Sequence, residues 1–207
     1  MRILFICGSL NQTTMMHQIA REMGEHECTF TPYYADGLIG MLAKTGLLNN
    51  TILGGRHRRN TMKYLRENHL PTDIGGKRGA YDLVLTGSDL IVQRNICGSR
   101  IMLIQEGMTE PEGLMYLLVK LFKFPRWLAN TSVTGLSNAF DTFCVASQGY
   151  KDLFIRKGVV PEKIVVTGIP NFDNLANIPP SNFPYQDYVL VATTPFRETM
   201  KPEFRPL

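Results

Sequence analysis

The sequence predicts an α/β fold, doubly wound around a mostly parallel sheet. Two observations predict it. Short apolar runs alternate with segments of helical length along most of the chain, the order that puts helices between parallel strands. The runs are also apolar throughout instead of alternating with polar residues, as strands covered on both faces read.

Each element has its own signal. Residues 2–7, "RILFIC", form the first strand, bounded by Gly8. "GSLNQTT" is a turn in which Asn11 or Thr13 is placed to cap a helix over 14–24, ended by Gly24. Residues 28–34 are a second strand. Between 35 and 79, "DGLIGMLAKTGLL" and "NTMKYLREN" have helical patterns, while "GGRHRRN" and "PTDIGGKRG" read as loops. "YDLVLTG" (81–87) and "RIMLIQ" (100–105) are strands flanking a short turn or helix. "EPEGLMYLLVKLF" is helical, and "TFCVAS" (142–147) is a strand. Ser147 caps a helix over 148–157 that Gly158 closes, and "EKIVVTG" (162–168) is a further strand. Residues 1–175 thus read as one domain. Residues 176–186, rich in Asn, Pro and Ser, read as a linker. A new strand at 187–194, "DYVLVATT", reads as the start of a further α/β domain over 187–207.

Composition narrows the class. The chain has 207 residues, 44% hydrophobic and 19% charged, with a net charge of +4. That balance fits a folded globular domain and does not call for nucleic acid. Cys7, Cys28, Cys97 and Cys144 are widely spaced without a CxxC or Cys/His cluster. They read as buried thiols of a reducing compartment, with no metal site. No apolar run approaches the roughly 20 residues of a membrane span, so a cytoplasmic location is expected.

Ligands of such sheets bind outside the carboxyl ends of the strands. That rule singles out Gly8, Ser9 and Asn11 after the first strand, and Gly87, Ser88 and Asp89 after 81–87. It also singles out Gln105, Glu106 and Gly107 after 100–105, Ser147 after 142–147, and Gly168 after 162–168. Glu106 and Asp89 are carboxylates on one edge, a pairing suited to acid/base work. The first loop lacks the GxGxxG and GxxxxGK[ST] patterns but leads into a helix N-terminus that would suit an anion. "RHRRN" (56–60) gathers donors for a phosphate or lipid head group, although a solvated loop is the plainer reading.

A stretch of about 30 residues carries a family resemblance. "TFCVASQGYKDLFIRKGVVPEKIVVTGIPNFDNL" (142–175) resembles the end of the N-terminal domain of GT-B-fold enzymes, and is most similar to UDP-N-acetylglucosamine 2-epimerases and related glycosyltransferases. "LVLTGSD" (83–89) resembles the epimerases' strand ending in Gly-Asp, and "LIQEGM" (103–108) resembles their "H-V-E-A-G" segment. The resemblance implies a Rossmann-like, acceptor-side half with catalytic roles for Glu106 and Asp89. Substrate contacts are expected from the strand-end rule at Gly8, Ser9, Asn11, Gln105, Gly107, Ser147 and Gly168. The resemblance implies no cofactor beyond a nucleotide-sugar donor, and a sugar or lipid-linked sugar as acceptor. The epimerases open with Gly-Thr-Arg-Pro-Glu where this chain has "GSLNQTT", which ranks a glycosyltransferase of cell-surface polysaccharide or glycolipid assembly before a divergent epimerase. A third expectation is a non-catalytic half that recruits a donor-binding partner or forms a homodimer. Residues 113–128, "GLMYLLVKLFKFPRWL", read first as a buried helix. In lipid-acceptor transferases a similar apolar and basic stretch rests on the membrane, which would place this chain at the inner membrane face.

Overall fold

The computed structural model describes residues 1–49 and 51–173, with Pro184, Asp187 and Val189. The expected linker 176–186 and the strand 187–194 lie, apart from those three residues, outside the described residues. The chain divides into two units, Met1–Leu175 and Ala176–Leu207.

The first unit is an α/β domain built on six parallel strands. These are β1 (Arg2–Cys7), β2 (Glu27–Pro32), β3 (Leu83–Thr86), β4 (Arg100–Ile104), β5 (Thr142–Val145) and β6 (Ile164–Val166), in the order β2-β1-β3-β4-β5-β6. β1 is an interior strand and pairs with β2 from Arg2↔Glu27 and with β3 from Ile3↔Leu83. Outside β2, Phe30 makes one parallel bridge to Thr72, with the Phe30 N–H on Pro71 O at 2.8 Å and the Asp73 N–H on Phe30 O at 2.9 Å. This single bridge is a rudimentary strand. Counting it, the first half of the sheet has the 3-2-1-4 order of dinucleotide-binding folds. The chain reverses direction across the sheet between β1 and β3, so their carboxyl ends form the topological switch point.

β1 is apolar on both faces because both are covered, whereas Glu27 of β2 and Val165 and Val166 of the edge strand β6 are exposed. In β1, Ile3, Phe5 and Cys7 join one buried cluster with Met15 and Met16 of α1 (Leu10–Glu22) and Leu65 of α3 (Gly55–Glu67). Leu4 and Ile6 join the other, which holds Phe143, Val145 and, from α5 (Gln148–Lys157), Phe154. α2 (Gly37–Lys44) packs Ile39 and Ala43 on that second cluster.

Four local expectations are corrected. α1 is capped by Ser9, whose Oγ accepts the Gln12 N–H at 3.1 Å while Gln12 Oε1 accepts the Ser9 N–H at 3.3 Å. This reciprocal pair starts the helix earlier than a cap at Asn11 or Thr13 would. "RHRRN" is helical, not a loop: Gly54 is the N-cap, Gly55 begins α3, and the arginines are good helix formers once Thr61 and Leu65 are buried. The 113–128 stretch is not a buried helix. α4 (Leu114–Phe122) buries Tyr116 and Val119 against Val133 and leaves Leu114, Leu117, Leu121 and Phe122 exposed. Of the thiols, Cys7 and Cys144 are buried, Cys28 is intermediate and Cys97 is exposed.

Candidate functional site at the carboxyl edge

The switch point is filled by side chains of the protein itself. Gly8 ends β1 and Gly87 follows β3, and Gln12 lies against both. A Cβ at Gly8 would fall 2.0 Å from Gln12 Oε1, and one at Gly87 would fall 3.1 Å from Gln12 Cδ. The two glycines therefore make room for a buried Gln12 in the crevice where a dinucleotide fold receives its pyrophosphate. From behind, Thr61 of α3 donates its hydroxyl to Gly8 O at 3.1 Å and fixes the loop.

Glu106 comes to this point from the end of β4. Its Oε1 accepts from Ser9 Oγ at 3.0 Å and from Asn11 Nδ2 at 2.8 Å, and its Oε2 accepts from Gln12 Nε2 at 2.7 Å. Asn11 is held in turn by Asn171, whose Nδ2 donates to Asn11 Oδ1 at 2.9 Å. A half-buried carboxylate thus sits at the N-terminal end of α1, where the positive end of the helix dipole favours an anion. Three donors fix its direction. An ionised carboxylate offers about four acceptor positions, so room for one further donor remains, on Oε2.

The other expected residues divide into those near Glu106 and those with structural work. Gly8, Ser9 and Asn11 are part of the cluster. Gly107 is next in the chain, and a Cβ there would meet nothing within 4 Å. Gln105 is buried and ties two strand ends together: its Oε1 accepts the Ala146 N–H at 2.8 Å and its Nε2 donates to Gly107 O at 2.8 Å. Ser147 is the N-cap of α5, accepting the Tyr150 N–H at 3.4 Å. Gly168 turns the chain after β6 with φ +87°.

Asp89 is not brought to Glu106. It is buried, and its two oxygens accept the backbone N–H groups of Gly135 at 2.9 Å and Ser137 at 3.1 Å. Its carboxylate holds the 135–137 turn, and the structure forms no Asp89–Glu106 pair. Tyr33 braces the same loop, donating to Ile91 O at 3.2 Å while accepting the Ile91 N–H at 3.1 Å, and burial pushes its phenol up to about 12.

Beside the edge, α4 presents an apolar surface. Leu114, Leu117, Leu121, Phe122, Phe124, Trp127 and Leu128 are exposed, as is Met108 just after Glu106. Lys120 and Lys123 are exposed among them, and Arg126 is half-buried. The base of this surface is pinned by Lys157. Its Nζ donates to Ser132 O at 2.7 Å, stands 3.9 Å from Glu112 Oε1, and faces the rings of Tyr116 and Phe154. Burial lowers the Lys157 pKa, with Glu112 opposing the shift.

Among the described residues no helix is long and apolar enough to cross a membrane, and no three His, Cys, Asp or Glu side chains gather as metal ligands would. Fold and site together define a doubly wound α/β domain with a carboxylate-centred polar site at its switch point. Comparison with family models, with curated proteins and with solved structures finds no match to this chain.

Proposed function

We propose that residues 1–175 are the acceptor-binding half of a GT-B-type glycosyltransferase. It would act with a nucleotide-sugar donor in cell-surface polysaccharide or glycolipid assembly. The observation that carries the reading is Glu106: a carboxylate at the carboxyl edge, fixed by Ser9, Asn11 and Gln12, with one acceptor position to spare. An acceptor hydroxyl donating to Oε2 would be oriented toward the donor sugar, and the carboxylate would take its proton as the new glycosidic bond forms. The nucleoside diphosphate leaves with the electrons of the broken bond into the donor-binding half. The exposed apolar and cationic face of α4 supports a lipid-linked acceptor, because such a face would hold the site beside an anionic membrane surface.

The test is sugar transfer from nucleotide-sugar donors to lipid-linked acceptors by the full reading frame, or by this chain with its donor-binding partner. Glu106→Gln is expected to lower turnover by about 100-fold. Its amide NH₂ replaces one of the two oxygens and so meets either the Ser9 and Asn11 donors or the Gln12 donor, and a stability loss of about 1–2 kcal/mol accompanies it. Full turnover in a folded Glu106→Gln enzyme would refute the role. Release of a free epimerised sugar in place of a transferred one would move the protein to the epimerase reaction.

A further inference from the structure

A second cavity on the same edge is separate from the Glu106 cluster. It has a volume of about 550 Å³ and opens between α2, the start of α3 and the 74–77 loop. That size lies within the range of small-molecule sites. Four cations, Lys44, Arg58, Arg59 and Lys77, line it against one carboxylate, Asp36. One oxygen of that carboxylate is already committed, since Asp36 Oδ2 accepts the Arg94 N–H at 2.6 Å. Among the described residues, none of the four cations has a carboxylate within ion-pair distance; the ion pairs found there involve Arg2, Lys63 and Lys157. The remaining wall includes Tyr34, Met41 and Ile74, which suit a carbon skeleton better than water.

We infer that this cavity binds a small organic phosphate, with the phosphate between Arg58, Arg59, Lys44 and Lys77 and its carbon body on Tyr34 and Met41. Like charges brought to one wall without counter-charges repel one another, and a dianionic ligand relieves that cost on binding. Two arginines on one helix turn match the oxygens of a phosphate with paired donors. The backbone contributes at the same place. α3 opens on Gly54 and Gly55, both in the wall, with no side-chain cap on Gly54. Asn49 Oδ1 takes the Gly55 N–H at 3.0 Å, and the positive end of the α3 dipole lies at this wall. The site stands independently of the transferase reading. The phosphate could belong to a soluble sugar phosphate or to a lipid head group, and the experiment separates the two.

The full 207-residue chain is titrated calorimetrically with glucose 1-phosphate and glycerol 3-phosphate, and by flotation with vesicles carrying phosphatidic acid. Arg58→Gln/Arg59→Gln is compared with Arg56→Gln/Lys63→Gln, which removes the same charge from the same helix but from outside the cavity wall. Lys77→Gln tests the opposite wall from a different segment, should the double substitution in α3 unfold the chain. Binding of a soluble ester that falls at least tenfold in Arg58→Gln/Arg59→Gln or Lys77→Gln, and under twofold in the control pair, supports the site with a soluble ligand. Binding of vesicles alone with the same dependence supports it with a lipid phosphate. Absence of binding in both arms, or equal weakening by the control pair, overturns it.

Discussion

Gly8 is the tightest position in the site. Replacing it with alanine would drive the Gln12 amide out of the crevice, because the new Cβ would lie 2.0 Å from Gln12 Oε1. The Ser9 N–H and one oxygen of Glu106 would then lose their partner. We expect Gly8→Ala to cost about 2 kcal/mol in urea unfolding, the scale of a buried polar group left unpaired. Adding Gln12→Ala should return part of it, since the two substitutions act on one contact. His17 gives a second test. Its Nδ1 lies 3.0 Å from Tyr64 Oη, and its pKa is lowered from 6.5 by burial and then by Arg21. The unfolded chain therefore takes up the proton more readily than the folded one, so stability falls as pH drops below about 6.5. The melting temperature of His17→Gln should decline less between pH 7 and pH 5 than that of the parent. The sequence does carry a signal for Gln12: Ser9 followed three residues later by Gln12 is a capping-box pattern.

At the scale of elements, α4 is the helix whose surroundings the sequence concealed. A helix apolar nearly all round reads as buried, but hydropathy records only what the helix prefers to touch. Here Tyr116 and Val119 find Val133, and among the described residues nothing covers Leu117 or Leu121. If a membrane surface covers them, the chain should co-sediment with anionic vesicles, less so at high salt. Leu117→Glu/Leu121→Glu should abolish co-sedimentation with little change in melting temperature. Retention by the double variant would leave another partner for this face. The strands were easier to read: a buried parallel strand must be apolar on both faces, and that is a local property. α3 was half-hidden, since Gly54 and Gly55 look like loop residues until the first is seen as a helix cap.

For the molecule as a whole, the doubly wound fold was legible and the separate roles of its edge carboxylates were not. Asp89 and Glu106 both follow strands, but one turns inward to the Gly135 and Ser137 N–H groups and the other reaches α1. Which way a side chain turns after a strand end depends on segments distant in sequence, such as 135–137, and no local pattern encodes it. Among the described residues, the two hydrophobic clusters of the sheet draw on positions 3 to 164. A chain ended at Leu175 should therefore fold, with one cooperative thermal transition and the parent's far-ultraviolet dichroism. A broad, non-cooperative melt would show that residues 176–207 contribute to the core.

The interior place of β1 in its sheet also bears on how the protein is made. β1 is made before the five other strands of its sheet, and its second partner starts 80 positions later, Leu83 opposite Ile3. At about 5–20 residues per second, that partner emerges roughly 4–16 s after β1. During that interval Ile3–Cys7, which are fully buried in the finished fold, have at most β2 on one side and an open edge on the other. Nascent chains halted before residue 83 should accordingly be held by chaperones, and chains extended past β4 should be released.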